Sequence, residues 1–192
     1  LYVQFWIYLG KLAQGDLGRS VMTSHTVVDD IIRFFPATME LATAAILISA
    51  VIGIPLGVLA AVKQGTRIDH TIRVICLAGH SLPIFVLALI SLLVFYATLG
   101  IAPGPGRQSI LFDEMVPTVT GVLTVDSLLA GEWDAFWDAV AHLLQPAGVL
   151  AYFSMAYLAR MTRAFMLDTL RGEFIITARA KGLSPARIIW KH

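Results

Sequence analysis

The sequence predicts an all-α, polytopic transmembrane bundle, and three observations carry that expectation. Apolar residues make up 57% of the 192 and charged residues only 14%, whereas a soluble domain is about a quarter charged. Residues 41–62, 74–106 and 139–159 contain no Asp, Glu, Lys or Arg, and about 20 apolar residues at 1.5 Å per residue cross the 30 Å hydrocarbon core. The remaining charges are sorted by loop. Lys63, Arg67 and Arg73 follow the first run, and Arg160, Arg163, Arg171, Arg179, Lys181, Arg187 and Lys191 follow the third. The segment between the second and third runs holds Arg107 against Asp113, Glu114, Asp126, Glu132, Asp134 and Asp138. Three crossings put both basic segments on one side, which the positive-inside rule makes cytoplasmic.

The elements follow in order. Residues 1–36 form an extracytoplasmic segment. Tyr2 to Gly15 reads as an interfacial helix with Phe5, Trp6 and Tyr8 at headgroup level, and Thr26 to Phe35 as a short helix that Pro36 breaks. The membrane part covers 37–170, with helices over 37–62, 75–99 and 139–165 and an acidic outer loop over 100–138. In that loop a short helix, a turn at Gly131 and a lead-in to the third span are expected. Trp133 and Trp137, four apart, share a face, as an interfacial anchor or a docking rim; anchoring is the favoured reading. Residues 171–192 form a cytoplasmic pair of short helices. Gly182 ends the first, and Ser184 with Pro185 supplies the cap and first position of the second.

Within the spans, Gly53 and Gly57 flank Pro55 at a spacing that permits close helix packing. Pro55 loosens the helix locally. His80 and Ser81 before Pro83, and Gln145 before Pro146, are the polar residues that could line a translocation path or bond across helices. Glu40 lies where a carboxylate reaches water, Asp69-His70 reads as ordinary loop, and Arg160 and Arg163 meet the headgroups.

Several chemistries are excluded. The net charge of +1 argues against a nucleic-acid partner. A lone Cys76 cannot form an internal disulfide or a cysteine metal cluster. His25, His70, His80, His142 and His192 are scattered without metal-site spacing, so neither a metal site nor a catalytic residue is expected. No Gly-x-x-x-x-Gly-Lys-Ser/Thr run occurs, so any nucleotide hydrolysis belongs to another subunit. The first residue is Leu1, and His192 falls inside a helical pattern. The chain is expected to be an internal piece of a longer protein.

Across all 192 residues the chain resembles a permease subunit of the bacterial dipeptide/oligopeptide ABC importers. The resemblance is carried by Tyr8-Leu9-Gly10-Lys11, Gly15-Asp16-Leu17-Gly18-Arg19-Ser20, Pro36-Ala37-Thr38, Glu40-Leu41-Ala42, Gly53-Ile54-Pro55-Leu56-Gly57 and Gly131-Glu132-Trp133. It is most specific in the tail Thr177-Ala178-Arg179-Ala180-Lys181-Gly182-Leu183. That tail is similar to the permease coupling motif, Glu-Ala-Ala, three residues, then Gly. Ile176 and Thr177 replace its Glu and first Ala, as in the peptide-importer branch.

The resemblance implies a permease-type bundle of which three of six spans are visible. It implies a coupling element built on Glu173, Thr177, Ala178, Arg179, Ala180, Lys181, Gly182 and Leu183. The implied partners are a second homologous permease, two cytoplasmic ATPase subunits that use ATP with Mg, an extracytoplasmic solute-binding protein and the lipid of the bacterial inner membrane. The implied cargo is a dipeptide or oligopeptide. The alternatives are nickel or another small solute in the same family, and an ion-coupled secondary transporter. The last would need ionisable residues near mid-membrane; the spans hold only His80 and His142, and His142 lies near an end.

Overall fold

The computed structural model describes residues 1–172, 175 and 181, with the side chain of His80 left out. The regular elements among the described residues are helices: α1 (Tyr2–Ala13), α2 (Val27–Val62), α3 (Arg67–Ser81), α4 (Ile84–Ser91) with a π-helical continuation Leu92–Thr98, a 3₁₀ turn Ile110–Phe112, α5 (Leu123–Ala130) and α6 (Trp133–Leu170). The only β pairing among the described residues is one isolated bridge, Arg19 with Thr26.

Helices α2 and α6 are each long and apolar enough to cross a membrane. Segments Arg67–Gly79 and Ile84–Thr98 make a third crossing if taken as one span, bent by 98°. Their outward faces carry Leu, Ile, Val and Phe, while the buried positions are mostly Ala and Gly. That arrangement inverts the soluble pattern and suits lipid, where apolar burial between helices brings no hydrophobic gain and close backbone approach does the work.

Three sequence expectations are corrected. Pro36 does not break a helix, because α2 runs through it from Val27 to Val62 instead of starting at 37. Intramembrane prolines are tolerated when neighbours hold the helix, and the Pro36 ring is backed by Gly121, where even a Cβ would come within 2.9 Å of it. Thr26 starts the helix, its hydroxyl accepting the Asp29 N–H at 3.1 Å, as N-caps do. The second span is not one helix over 75–99. It starts at Arg67 and breaks after Ser81, with Leu82 extended at φ −109°, ψ 141°. Proline pushes the preceding residue out of the helical region and removes an N–H donor, and Pro83 does both. The third helix occupies Trp133–Leu170, longer at both ends than 139–165.

The chain divides into two compact units. The first comprises residues 1–42 and 105–143. It contains α1, whose large apolar side chains are exposed, and the loop leading to α5. Gly131 closes α5 in the left-handed region at φ 75°, the usual glycine C-cap.

The second unit comprises residues 43–104 and 144–192. Its core is a seam of small residues. Ala45, Ser49, Gly53, Gly57 and Ala61 recur every four residues on α2, and Ala147, Ala151, Met155 and Ala159 every four on α6, all buried. Residues four apart lie on one helix face. A Cβ on Gly53 would meet the Met155 carbonyl at 3.1 Å, and one on Gly57 the Ala159 carbonyl at 2.6 Å. Only glycine fits this closely at position 57. Helix α3 joins through Gly79, packed on the Tyr152 ring, whose hydroxyl donates to the Ile75 carbonyl at 2.8 Å.

Candidate functional site

Polar chemistry concentrates in carboxylate clusters that sequence reading passed over. In the second unit, Asp69 sits in the first turn of α3, three residues after the N-cap Thr66. A carboxylate there is favoured by the helix dipole and unpaired N–H groups. Its side chain is only 1% exposed. Arg163 of α6 donates to it twice, Nε to Oδ1 at 2.8 Å and Nη2 to Oδ2 at 2.9 Å. Gly65 N–H donates to Oδ2 at 3.0 Å, and Arg73 lies 3.5 Å from Oδ1. Asp69 is therefore not ordinary loop, and Arg163 turns onto it. A buried carboxylate needs this much compensation to stay ionised.

In the first unit, Glu40 of α2 gathers the loop that leads into α5. Its Oε1 accepts from the Thr124 N–H at 2.9 Å and hydroxyl at 2.7 Å, and its Oε2 from Arg107 at 2.8 Å. Helix α5 begins at Leu123 after Val122, a residue with no capping side chain. Glu40 thus supplies the missing acceptor and a negative charge at that terminus from another element. Arg107 also donates to the Gly121 carbonyl at 3.0 Å. Asp126, 2% exposed, accepts the N–H groups of Val119, Thr120 and Gly121 at 3.2, 2.8 and 2.9 Å and the Thr120 hydroxyl at 2.7 Å. Burial pushes its pKa up, but the bonds from Thr120, Gly121 and Val119 outweigh burial and hold it below the usual value. Asp138 accepts both the Ser109 N–H and hydroxyl at 2.6 Å, fixing the entry to the 3₁₀ turn.

The sequence-predicted residues fall as follows. Gly53 and Gly57 line the α2–α6 seam, with Pro55 exposed between them inside α2. Gln145 donates to the Ser91 hydroxyl at 3.2 Å, while Ser81 donates to the Leu77 carbonyl of its own helix at 2.8 Å. The structure shows no bond between Ser81 and Gln145, and the His80 side chain lies outside the described residues. So do Glu173, Thr177, Ala178, Arg179, Ala180, Gly182 and Leu183 of the expected coupling element, and the Ser184-Pro185 cap. Lys181 is exposed. After α6 the chain turns through Gly172, whose N–H donates to the Thr169 carbonyl at 3.0 Å, and Ile175 is buried at 2% exposure. Trp133 and Trp137 are exposed, with Phe136 edge-on to both. Among the described residues no group of three or more His, Cys, Asp or Glu could hold a metal ion.

With this geometry in place, comparison with known proteins decides the family. Residues 53–192 match the profile of the binding-protein-dependent transport system inner membrane component. The chain belongs to this family. It is thus part of a multi-pass inner membrane transport protein. Its α2–α6 seam and the Asp69 cluster both fall largely within the matched region.

The chain is 45% identical over 192 residues to the Di/tripeptide transport system permease protein DppB of Pseudomonas aeruginosa, covering 100% of this chain and 56% of that protein. It is 44% identical over 184 residues to the Probable D,D-dipeptide transport system permease protein DdpB of Escherichia coli, covering 95% of this chain and 54% of that one. It is 34% identical over 193 residues to the Oligopeptide transport system permease protein OppB of Salmonella typhimurium, covering 100% and 54%. The chain spans about half the length of the curated relatives it matches.

Proposed function

We propose that this chain is the central part of a permease subunit of an ATP-driven importer of short peptides. The observation that carries the reading is the match over the whole chain to relatives named as permeases of di/tripeptide, D,D-dipeptide and oligopeptide transport systems. In this reading the full protein pairs with a second homologous permease. It receives cargo from an extracytoplasmic solute-binding protein and is driven by two cytoplasmic ATPase subunits that consume ATP with Mg. The permease itself performs no hydrolysis. Its task is mechanical, an alternation between outward and inward access.

The segment from Glu173 to His192 is then the element gripped by an ATPase. Motion of that segment reaches the bundle through α6, a helix of about 57 Å at 1.5 Å per residue. Such a rod serves as a lever only if its packing is firm. The 2.6 Å that a Cβ on Gly57 would leave to the Ala159 carbonyl describes a seam with no slack. The peptide path would run between the two permeases, with His80, Ser81 and Gln145 as candidate lining residues.

The test is uptake of a labelled dipeptide by cells carrying the full-length gene and its partners. Deletion of the ATPase genes is expected to abolish uptake. Ala178→Asp is expected to leave the permease in the membrane while removing most uptake. Full uptake by both strains would overturn the reading.

A further inference from the structure

A buried ion pair is weak evidence for stability, since apolar replacements of similar volume often do as well. The second unit already has an apolar means of holding α2 to α6, the small-residue seam at Gly53 and Gly57. That seam joins α2 to α6 and leaves the start of α3 to other contacts. Packed helices do slide past one another in shear motions.

The contact between Asp69 and Arg163 holds the start of α3 to α6. The guanidinium and carboxylate meet through two parallel bonds of 2.8 and 2.9 Å, a fork that fixes orientation as well as distance. The pair joins positions 94 residues apart. It ties the first turn of α3 to α6. The Gly65 N–H on the same carboxylate ties in the turn between α2 and α3. Arg163 lies two helical turns before the end of α6 at Leu170, about 10 Å along the axis. It is the last cross-helix ion pair before the chain turns at Gly172, among the described residues.

We propose that Asp69 and Arg163 are positioning residues of the transport cycle, a clasp that makes the α2–α3 turn and α3 follow α6 when its cytoplasmic end is displaced. The inference rests on the permease reading above. Without the fork, the α2–α3 turn and the start of α3 no longer follow α6, and the displacement is not passed on. The signature is uncoupling. ATP is hydrolysed, but little peptide moves.

The experiment uses the full-length permease with its partner permease, ATPases and binding protein in proteoliposomes, measuring di- or tripeptide uptake and ATP hydrolysis together. Asp69→Asn and Arg163→Gln are expected to lower peptide moved per ATP by about tenfold, the size of effect seen along coupling elements. Each is expected to do so with the amount of assembled complex unchanged. The double variant is expected to be no worse than either single, as for two residues acting as one unit. Arg163→Lys, which keeps the charge but not the fork, is expected to fall between wild type and Arg163→Gln. Should the single variants fail to assemble, Asp69→Leu with Arg163→Met fills the space without charge and is expected to show the same uncoupling.

Uptake per ATP equal to wild type in any assembled variant lacking the fork overturns the clasp. So does a loss in which hydrolysis and uptake fall in step with the amount of complex, which marks a purely structural pair. If the wild-type complex itself moves no peptide with ATP, the permease reading fails instead, whatever the variants do.

Discussion

The loop-bearing unit and the helical-seam unit are held by different physics. In the seam, the chain brings two backbones together by removing side chains: glycine and alanine every four residues, with a carbonyl where a Cβ would stand. In the loop-bearing unit, three carboxylates, Glu40, Asp126 and Asp138, collect backbone N–H groups and hydroxyls of a segment with little regular structure. Lipid offers helices no hydrophobic gain on association, so contact distance matters most there. A loop with little regular structure must have its backbone groups satisfied by other acceptors, so acceptors matter most there. The expected consequence is steric sensitivity in one unit and charge sensitivity in the other.

The largest effect is expected at Gly57. Gly57→Ala forces α2 off the Ala159 carbonyl and should cost about 3 kcal/mol, the upper range for overpacking, seen as a lowered unfolding temperature in detergent. Gly53→Ala, with its nearest contact at 3.1 Å, should cost less. Equal tolerance at both positions would break the seam account.

Asp126→Asn comes next. An amide group turned toward three N–H donors should loosen the loop by about 2 kcal/mol, read as faster hydrogen exchange at Thr120 and Gly121. The pH dependence has a defined sign. Because the folded pKa lies below the usual value, the stabilisation is complete above the unfolded Asp pKa of about 3.9 and is lost only as pH falls through the lower folded value. Exchange at these amides should therefore show no Asp126 titration between about pH 5 and 7.

Glu40→Gln should be milder, about 1 kcal/mol, since one amide oxygen can still accept from Thr124. Protease cutting near Arg107 should rise while the seam keeps its unfolding temperature. Smallest is Ser81→Ala, expected within about 0.5 kcal/mol of wild type, because its hydroxyl returns to its own helix. A large loss of uptake in that variant would favour a role in the path.

Much of this architecture was legible because its signals are local. The charge-free runs mark α2 and α6, the Gly53–Gly57 spacing marks the seam, and Gly131 marks the end of α5. Proline was harder to read. Pro36 and Pro83 look alike in sequence, yet α2 continues through one while the helix ends before the other. Packing decides which occurs, as with Gly121 behind Pro36. The carboxylate clusters were least legible. Glu40 finds Arg107 across 67 positions and Asp69 finds Arg163 across 94, and no periodicity records such a meeting. A usable hint was Thr66 followed three residues later by Asp69, a helix-start pattern that places Asp69 in an ordered turn.

The proposal on which the rest depends is that this chain is part of a peptide importer driven by ATP. The direct measurement is dipeptide uptake into proteoliposomes holding the full-length complex, with ATP supplied on the ATPase side and ion gradients collapsed. Uptake is expected to persist without any ion gradient and to stop when ATP is replaced by a non-hydrolysable analogue. Uptake that ignores ATP and follows an imposed ion gradient would contradict it.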